Sequence, residues 1–418
     1  MHKNSDNEIE IMSPVGSYES LKAAIQGGAN SVYFGVEQLN MRARSANNFT
    51  LNDLEKISAI CKENHIKTYL TLNTVIYDNE LELVKNILIA AQKNHISAVI
   101  ASDMSVIQIA REMGIEVHMS TQCNITNTQA VKYYAQFADV IVTARELSLK
   151  QVAEIVKNIQ QENIKGPSGR LIQIEIFAHG ALCMAVSGKC YLSLDNMNYS
   201  ANRGACLQLC RRSYLVKDKE EEHELEIAHE YIMSPKDLCT IGFLDIILKA
   251  GVRVLKIEGR GRSPEYVKTV TRCYKEAVES IQNNSYSKEK INNWMKQLSS
   301  VYNRGFWDGY YLGKKIGEWT EKYGSRATKT KIYVGKVTNY FSKLKVAEIK
   351  IETNELNVGD AFLVIGPTTG VLEAEVKEIR VELKKIKSVI KGDICSIPVE
   401  DVVRKNDKIY KLVESAFE

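Results

Sequence analysis

Four of the nine cysteines in this 418-residue chain lie within the 28 residues from Cys183 to Cys210. Six residues separate Cys183 from Cys190, fifteen separate that residue from Cys206, and three separate Cys206 from Cys210. Thiolates at these gaps can converge on one tetrahedral zinc ion or on one [4Fe-4S] cluster. Zinc sites more often use paired two-residue gaps, so the looser spacing favours the cluster and keeps zinc as the alternative.

The residues around these four cysteines are too polar for a hydrophobic core. They include Gly188, Lys189, Asn202, Arg203 and Gly204. A packing role, in which cysteine behaves as a small apolar residue, suits four isolated cysteines better. These are Cys61, Cys123, Cys273 and Cys395.

The bulk composition is that of a globular protein without disorder. Charged residues make up 25% of the chain, apolar residues 44%, and the formal net charge is +4. The first ten residues, "MHKNSDNEIE", lack the apolar run of a signal peptide, and no apolar stretch reaches membrane-spanning length. We therefore expect a cytoplasmic protein with no membrane segment, where a reducing environment disfavours disulfides.

The elements that must position the cysteines form a regular series. Eight short apolar runs are strand candidates, and most are followed by a stretch with helical periodicity. They are "IEIMSPVG", "SVYFG", "KTYLTLN", "AVIASD", "EVHMSTQ", "DVIVTARE", "LIQIEIFAHG" and "VRVLKIEGR". Eight such units predict an α/β fold, a (β/α)8 TIM-like barrel; a doubly wound sheet is less favoured because no glycine-rich phosphate loop follows the first strand.

Polar residues stand where these predicted strands end, which is where (β/α)8 barrels place their active sites. They are Ser13, Gly35, Asn73, Asp103, Gln122, Arg145, Glu146, His179, Glu258 and Arg260. On position alone, His179 and Glu258 are acid or base candidates.

The pattern changes near residue 329, where short alternating runs separated by turn residues begin. Such runs are typical of antiparallel β-structure. We predict a first domain over residues 1–328, with the cysteine segment as an insertion at 180–240. A small C-terminal antiparallel β-barrel domain is predicted over residues 329–418.

The stretch "EIFAHGALCMAVSGKCYLS" at residues 175–193 resembles the signature of the U32 group, the collagenase-like peptidases. Further resemblance covers nearly the whole chain, in "SPVGSYESLKAAIQGGANSVYFG", "HMSTQCNITN", "LKIEGRGRS" and "YNRGFWDGYYLG". Within that group the chain is similar to the prephenate-dependent tRNA uridine hydroxylation proteins. The resemblance implies hydroxylation of wobble uridine to 5-hydroxyuridine, with a [4Fe-4S] cluster, prephenate and tRNA, and it allows a second U32 protein as partner.

By this resemblance Cys183, Cys190, Cys206 and Cys210 are the cluster ligands. Some relatives use a cysteine at the position of Cys239 as the fourth ligand, and this chain has both. Cys239 therefore stays an alternative to Cys210.

A site for prephenate must hold carboxylates, and guanidinium groups suit them. The substrate-binding candidates are Arg42, Arg44, Gln122, Arg145 and Arg262, and the catalytic candidates are His179, Glu258 and Arg260. Candidates for contact with tRNA phosphates are Arg211, Arg212, Lys314, Lys315, Arg326, Lys329 and Lys331.

A peptidase is the alternative function. His179 lies four residues before Cys183, so a Cys–His pair is conceivable, but the chain has no HExxH or GxSxG motif. If Cys183 binds a metal, its thiolate is not free to attack a substrate. The two functions are thus mutually exclusive, because each requires the sulfur atom of Cys183.

Overall fold

The computed structural model describes residues 8–44, 48–213, 233–313, 318, 320 and 324–415. Eight parallel strands close into a barrel, because the last of them pairs with both the seventh and the first: Val254 lies opposite Glu175 on one side and opposite Glu10 on the other. The barrel strands are β1 (Glu10–Pro14), β2 (Ser31–Phe34), β3 (Lys67–Leu72), β4 (Ala98–Ala101), β5 (Val117–Met119), β6 (Val140–Val142), β7 (Gln173–Gly180) and β9 (Val254–Ile257). The predicted (β/α)8 barrel is confirmed.

Helices surround the barrel, and one further short helix, α7 (Leu192–Met197), lies in the cysteine segment. The surrounding helices are α1 (Tyr18–Gln26), α2 (Asp53–Glu63), α3 (Leu81–Lys93), α4 (Met104–Glu112), α5 (Thr128–Tyr134), α6 (Leu149–Gln161), α8 (Leu244–Lys249), α9 (Pro264–Gln282) and α10 (Lys288–Ser300). In α6, Ser148 and Gln151 form a capping box, and the buried residues Val152, Ile155 and Ile159 recur at helical spacing. No helix in the described part of the chain is both long and apolar enough to cross a membrane.

The barrel strands are buried on both faces, and successive side chains point to opposite sides. One buried cluster, which includes Met12, Tyr33, Ile100 and Val254, alternates along the strands with the residues that pack under the helices. This alternation places the first set inside the barrel. The interior also holds a charged pair, Lys256 and Glu175.

Two short strands extend the barrel sheet at its carboxyl end and are absent from the predicted series. β8 (Asp237–Cys239) pairs antiparallel with the end of β7, where His179 lies opposite Cys239. β10 (Phe306–Trp307) pairs parallel with β8. Runs of two and three residues carry too little periodicity to be recognised from sequence.

The C-terminal region is antiparallel, as predicted. Eight strands follow the order β15-β14-β20-β11-β12-β19-β16-β17, and β13 pairs with β18. The strands are β11 (Lys329–Phe341), β12 (Val346–Ile351), β13 (Glu355–Asn357), β14 (Ala361–Gly366), β15 (Gly370–Glu375), β16 (Ile379–Val381), β17 (Lys384–Ile386), β18 (Ser388–Ile390), β19 (Ile394–Pro398) and β20 (Lys408–Glu414). β15 lies against α1 and α9, and Leu363, Ile365 and Val371 join the core of the barrel domain.

Candidate functional site

A cavity of about 560 Å³ lies at the carboxyl end of the barrel. The strand-end residues that line it are Asn73, Gln122, Arg145, Glu258 and Arg260, and the loop after β2 adds Arg42. The cysteine segment supplies much of the remaining wall. Parallel strands deliver these side chains to one end of the barrel although they are far apart in sequence.

All four clustered cysteines line this cavity. Cys183 is exposed and the other three are half-buried. Burial raises the pKa of the Cys210 thiol; Arg211 opposes that shift, and negative charge on Cys183, Cys206 or Cys190 adds to it. The thiols are therefore close enough to influence one another electrostatically.

This donor set has the number and chemical type that a [4Fe-4S] cluster or a zinc ion requires. Among the described residues, no three His, Cys, Asp or Glu side chains lie close enough together to hold a single metal ion. In a [4Fe-4S] cluster each of the four cysteine thiolates would bind a different iron, so the ligands stand around a volume rather than at one point. Four cysteines that line one cavity supply the donor type and number for such a cluster.

Cys239 lies elsewhere. Its side chain is buried in the barrel core, with Sγ 3.7 Å from Sδ of Met295, and burial raises its thiol pKa to about 11. It is not among the residues that line the cavity. The structure thus places Cys210, rather than Cys239, beside the other three cysteines.

The cysteine segment is fixed to several barrel loops. Gly204 has φ +82°, and a Cβ there would lie 2.4 Å from the carbonyl oxygen of Asn40 in the loop after β2. Arg203 makes a two-pronged ion pair with Glu80 and also donates to the carbonyl of Val75. Such a bidentate pair fixes orientation as well as position.

A second tether joins the segment to the end of β5. Asn124 donates from Nδ2 to the carbonyl oxygen of Ser187, which lies between the first two cysteines. Gly188, at φ +72°, passes close to the side chain of Gln122. Contacts to three different barrel loops hold the cysteines over the barrel mouth.

Glu258 lies at the centre of a charged network in the cavity. It accepts a 2.7 Å bond from Arg42 and a 3.1 Å bond from the Tyr33 hydroxyl. Burial disfavours its charged form, but the guanidinium groups of Arg42, Arg260 and Arg145 outweigh burial and lower its pKa to about 2. Glu258 is thus a carboxylate at neutral pH, which suits orientation of Arg42 better than proton donation.

Arg260 is 6% exposed and donates to Asn40 and Thr71, at 3.1 and 2.9 Å. Burial lowers its pKa to about 10, which leaves it charged at neutral pH. Arg145 lies over the ring of Phe177, 4.3 Å from its centroid. Both residues were predicted from their strand-end positions, and both reach the cavity.

His179 does not line the cavity, contrary to the expectation of a catalytic role. It is buried, its Nδ1 lies 3.4 Å from the Tyr274 hydroxyl, and Tyr266 and Phe306 pack around its ring. Burial, and then the charge of Arg262, lower its pKa to about 3. The extension of β7 to Gly180 and its pairing with β8 enclose this side chain, which makes it a core residue rather than an acid or base.

Two predicted substrate arginines also lie outside the main cavity. Arg44 is exposed and lies over Tyr199. Arg262 lies over Tyr302 and lines an adjoining cavity of about 110 Å³. That smaller cavity shares three cysteines with the large one, and four of its lining residues are Arg42, Arg211, Arg262 and Arg304.

Sequence reasoning missed Lys256, which lines the floor of the large cavity. Its Nζ lies 2.8 Å from the fully buried carboxylate of Glu175 and 4.8 Å from the ring centroid of Tyr33. A charged residue in the middle of the apolar run "VRVLKIEGR" was the available signal. Only the closed barrel shows that Glu175, on β7, is its partner.

The basic residues proposed to meet tRNA phosphates have mixed surroundings. Arg211 donates to the carbonyls of Leu182 and Pro235 and is largely enclosed. Lys329 and Lys331 pair with Glu373 and Glu265. Arg212 is exposed, Arg326 contacts Asn303 through its backbone, and Lys314 and Lys315 lie outside the described residues.

Three relatives indicate the range of proteins to which the chain is similar. A protein of Porphyromonas gingivalis named collagenase is 59% identical over 97% of this chain and 98% of its own length. A tRNA hydroxylation protein of Bacillus subtilis is 30% identical over 86% of this chain and 83% of its own length. The 23S rRNA 5-hydroxycytidine synthase of Escherichia coli is 33% identical over 66% of this chain and 40% of its own length.

A family model described as Peptidase family U32 matches residues 16–321, which include all the barrel strands after β1 and the whole cysteine segment. Together with the 59% identical relative, this match confirms the resemblance carried by residues 175–193. The chain belongs to peptidase family U32.

Proposed function

We propose that this protein takes part in the hydroxylation of an RNA base, with Cys183, Cys190, Cys206 and Cys210 holding a [4Fe-4S] cluster. The specific reaction we propose is prephenate-dependent conversion of the wobble uridine of tRNA to 5-hydroxyuridine. The observation that carries the proposal is the placement of all four cysteines on the wall of one cationic cavity.

The charges around the cysteines support an anionic group at this wall. Negative charge on Cys183 and Cys206 raises the pKa of Arg42, secondary to the effect of Glu258. Arg211, whose pKa is lowered by burial and by Arg304, is stabilised in its charged form by Cys210 and Cys183. Four thiolates and their cluster thus find counter-charges already in place. When bound, the cluster would supply one-electron transfer or a Lewis-acidic iron.

The relatives support RNA as the substrate class, since two of the three reported carry names that specify hydroxylation of tRNA or of rRNA cytidine. In this proposal tRNA and prephenate are the partners, and a second U32 protein is a further one. The base and the co-substrate would share this cavity, where Tyr33, Phe177 and Met41 offer apolar surface beside the polar side chains.

A peptidase is the second candidate, because the relative with 59% identity is named collagenase. Peptide hydrolysis needs an activated nucleophile. In the described residues, His179 is bonded to Tyr274 in the core, whereas Cys183 faces the cavity. Among the described residues this arrangement offers Cys183 no imidazole base, which favours a ligand role for its sulfur.

The test is to express the protein in cells that make prephenate but lack 5-hydroxyuridine in their tRNA, so that cellular metabolism supplies the two-electron oxidant, and to measure 5-hydroxyuridine by mass spectrometry of tRNA nucleosides. The variants are Cys206→Ala, which removes one proposed ligand, and Cys395→Ala, which removes a buried cysteine of the C-terminal sheet. We expect product with the parent and Cys395→Ala and none with Cys206→Ala. Gelatin cleavage that depends on Cys183, without modified uridine, would instead establish the peptidase.

A further inference from the structure

Two guanidinium groups in the cavity have no carboxylate partner among the described residues. Arg145 contacts the Phe177 ring, and its buried Nε finds no hydrogen-bond acceptor there. In the described part of the chain, the side-chain hydrogen bonds of Arg260 go to neutral groups, the side chains of Asn40 and Thr71. Both line the cavity.

The other cations of the cavity floor are already paired. Arg42 is bound to Glu258, and Lys256 is bound to Glu175. Arg42, Arg145 and Arg260 all act on Glu258, so three guanidinium groups surround one carboxylate.

A charge that is withdrawn from water without a counter-ion carries an unfavourable desolvation free energy. An anionic ligand that pairs with this charge offsets that free energy, and the offset contributes to its affinity. Guanidinium groups bind carboxylates through paired, charge-assisted hydrogen bonds. The cavity is large enough for a small organic molecule, and Tyr33 and Phe177 give it aromatic walls.

We propose that Arg145 and Arg260 form a carboxylate subsite for a small organic dianion whose apolar body packs against Phe177 and Tyr33. This inference deepens the proposed function, since it assigns the cavity floor to the co-substrate and leaves the cysteine wall for the base. A carboxylate and a phosphate both present negatively charged oxygen atoms to such arginines. A free dicarboxylic acid fits the enclosed floor, where Arg260 is 6% exposed, better than a phosphate tethered in an RNA backbone.

Binding is to be measured by calorimetry with three probes: prephenate as the dicarboxylate, phenylpyruvate as a monocarboxylate, and inorganic phosphate. Arg145→Gln is the main variant because Arg145 donates no hydrogen bond within the described residues, so the fold loses little. Arg145→Lys keeps the positive charge but lacks the paired N–H donors of a guanidinium group. Arg111→Gln removes an exposed arginine of α4 and is the matched control.

We expect Arg145→Gln to weaken prephenate binding about 10- to 100-fold, the usual effect of losing a charged hydrogen-bond pair, and Arg145→Lys to recover part of it. Phenylpyruvate should bind more weakly than prephenate, and Arg111→Gln should match the parent. Equal affinities in the parent and Arg145→Gln, or phosphate binding as tight as prephenate binding, would overturn the subsite.

The same measurements separate this inference from the proposed function. Loss of prephenate affinity in Arg145→Gln, with no 5-hydroxyuridine formed by the parent, would uphold the subsite and reject the reaction. Formation of 5-hydroxyuridine at the parental rate by Arg145→Gln, with unchanged affinity, would uphold the reaction and reject the subsite.

Discussion

At the scale of single residues, His179 and Glu258 began as equivalent candidates at strand ends and proved to have opposite surroundings. Glu258 faces the cavity and three guanidinium groups, whereas His179 is enclosed by aromatic rings. Strand-end position is visible in sequence because it follows from apolar runs. The direction of the side chain beyond that point depends on whether another strand covers it, as β8 covers His179.

The burial of His179 predicts a pH-dependent stability. Its pKa is about 3 in the folded protein against an ordinary value of 6.5, so between these values the unfolded chain binds more protons. The stability is therefore complete above about pH 6.5 and declines as the pH falls. We expect the parent to lose on the order of 2 kcal/mol of unfolding free energy between pH 7.5 and pH 5 that His179→Asn does not lose.

Urea unfolding at the two pH values measures this difference. His95→Asn, which removes a surface imidazole at a left-handed position that asparagine tolerates, is the control. Parallel pH dependence in the parent and His179→Asn would show that the imidazole is not held neutral in the core.

At the scale of elements, the cysteine segment is positioned by close backbone approach more than by its own secondary structure. Its cysteine spacing predicted a shared site, but the tethers could not be read from sequence. Arg203 pairs with Glu80, which lies 123 residues earlier in the chain. Gly204 can approach the carbonyl oxygen of Asn40 closely because it has no Cβ. Contacts at such separations follow only from barrel closure, which brings the loops together.

Gly204→Ala tests the close approach. The substitution adds a left-handed backbone penalty of roughly 1 kcal/mol and a clash with the Asn40 carbonyl. Gly169→Ala is matched to it, since Gly169 has φ +79° and nothing within 4 Å. We expect faster amide exchange in residues 200–206 with Gly204→Ala only; equal exchange in both variants would contradict this packing.

At the scale of the whole molecule, the C-terminal sheet is docked on the barrel domain rather than merely linked to it. Gln26 of α1 donates to the carbonyl of Thr369 and accepts from the amide of Val371, and Lys268 of α9 donates to the Val371 carbonyl. The sequence predicted a change to antiparallel strands near residue 329. It contained no pattern that identifies α1 and α9 as the docking surface.

Gln26→Ala removes both of its hydrogen bonds to the sheet. We expect a loss of about 1–2 kcal/mol in unfolding free energy, together with an earlier, separate melting step of the C-terminal sheet. Differential scanning calorimetry measures both effects, with Gln129→Ala on the exposed face of α5 as the control. A single unshifted transition in Gln26→Ala would mean that the sheet does not depend on this contact.

The most direct test of the central claim is the quantity of iron and acid-labile sulfide per chain after anaerobic purification. It is to be measured for the parent, Cys210→Ala and Cys239→Ala. We predict about four irons and four sulfides in the parent and in Cys239→Ala, and their loss in Cys210→Ala. One zinc per chain in the parent, or iron lost only from Cys239→Ala, would contradict the four-cysteine site on the cavity wall.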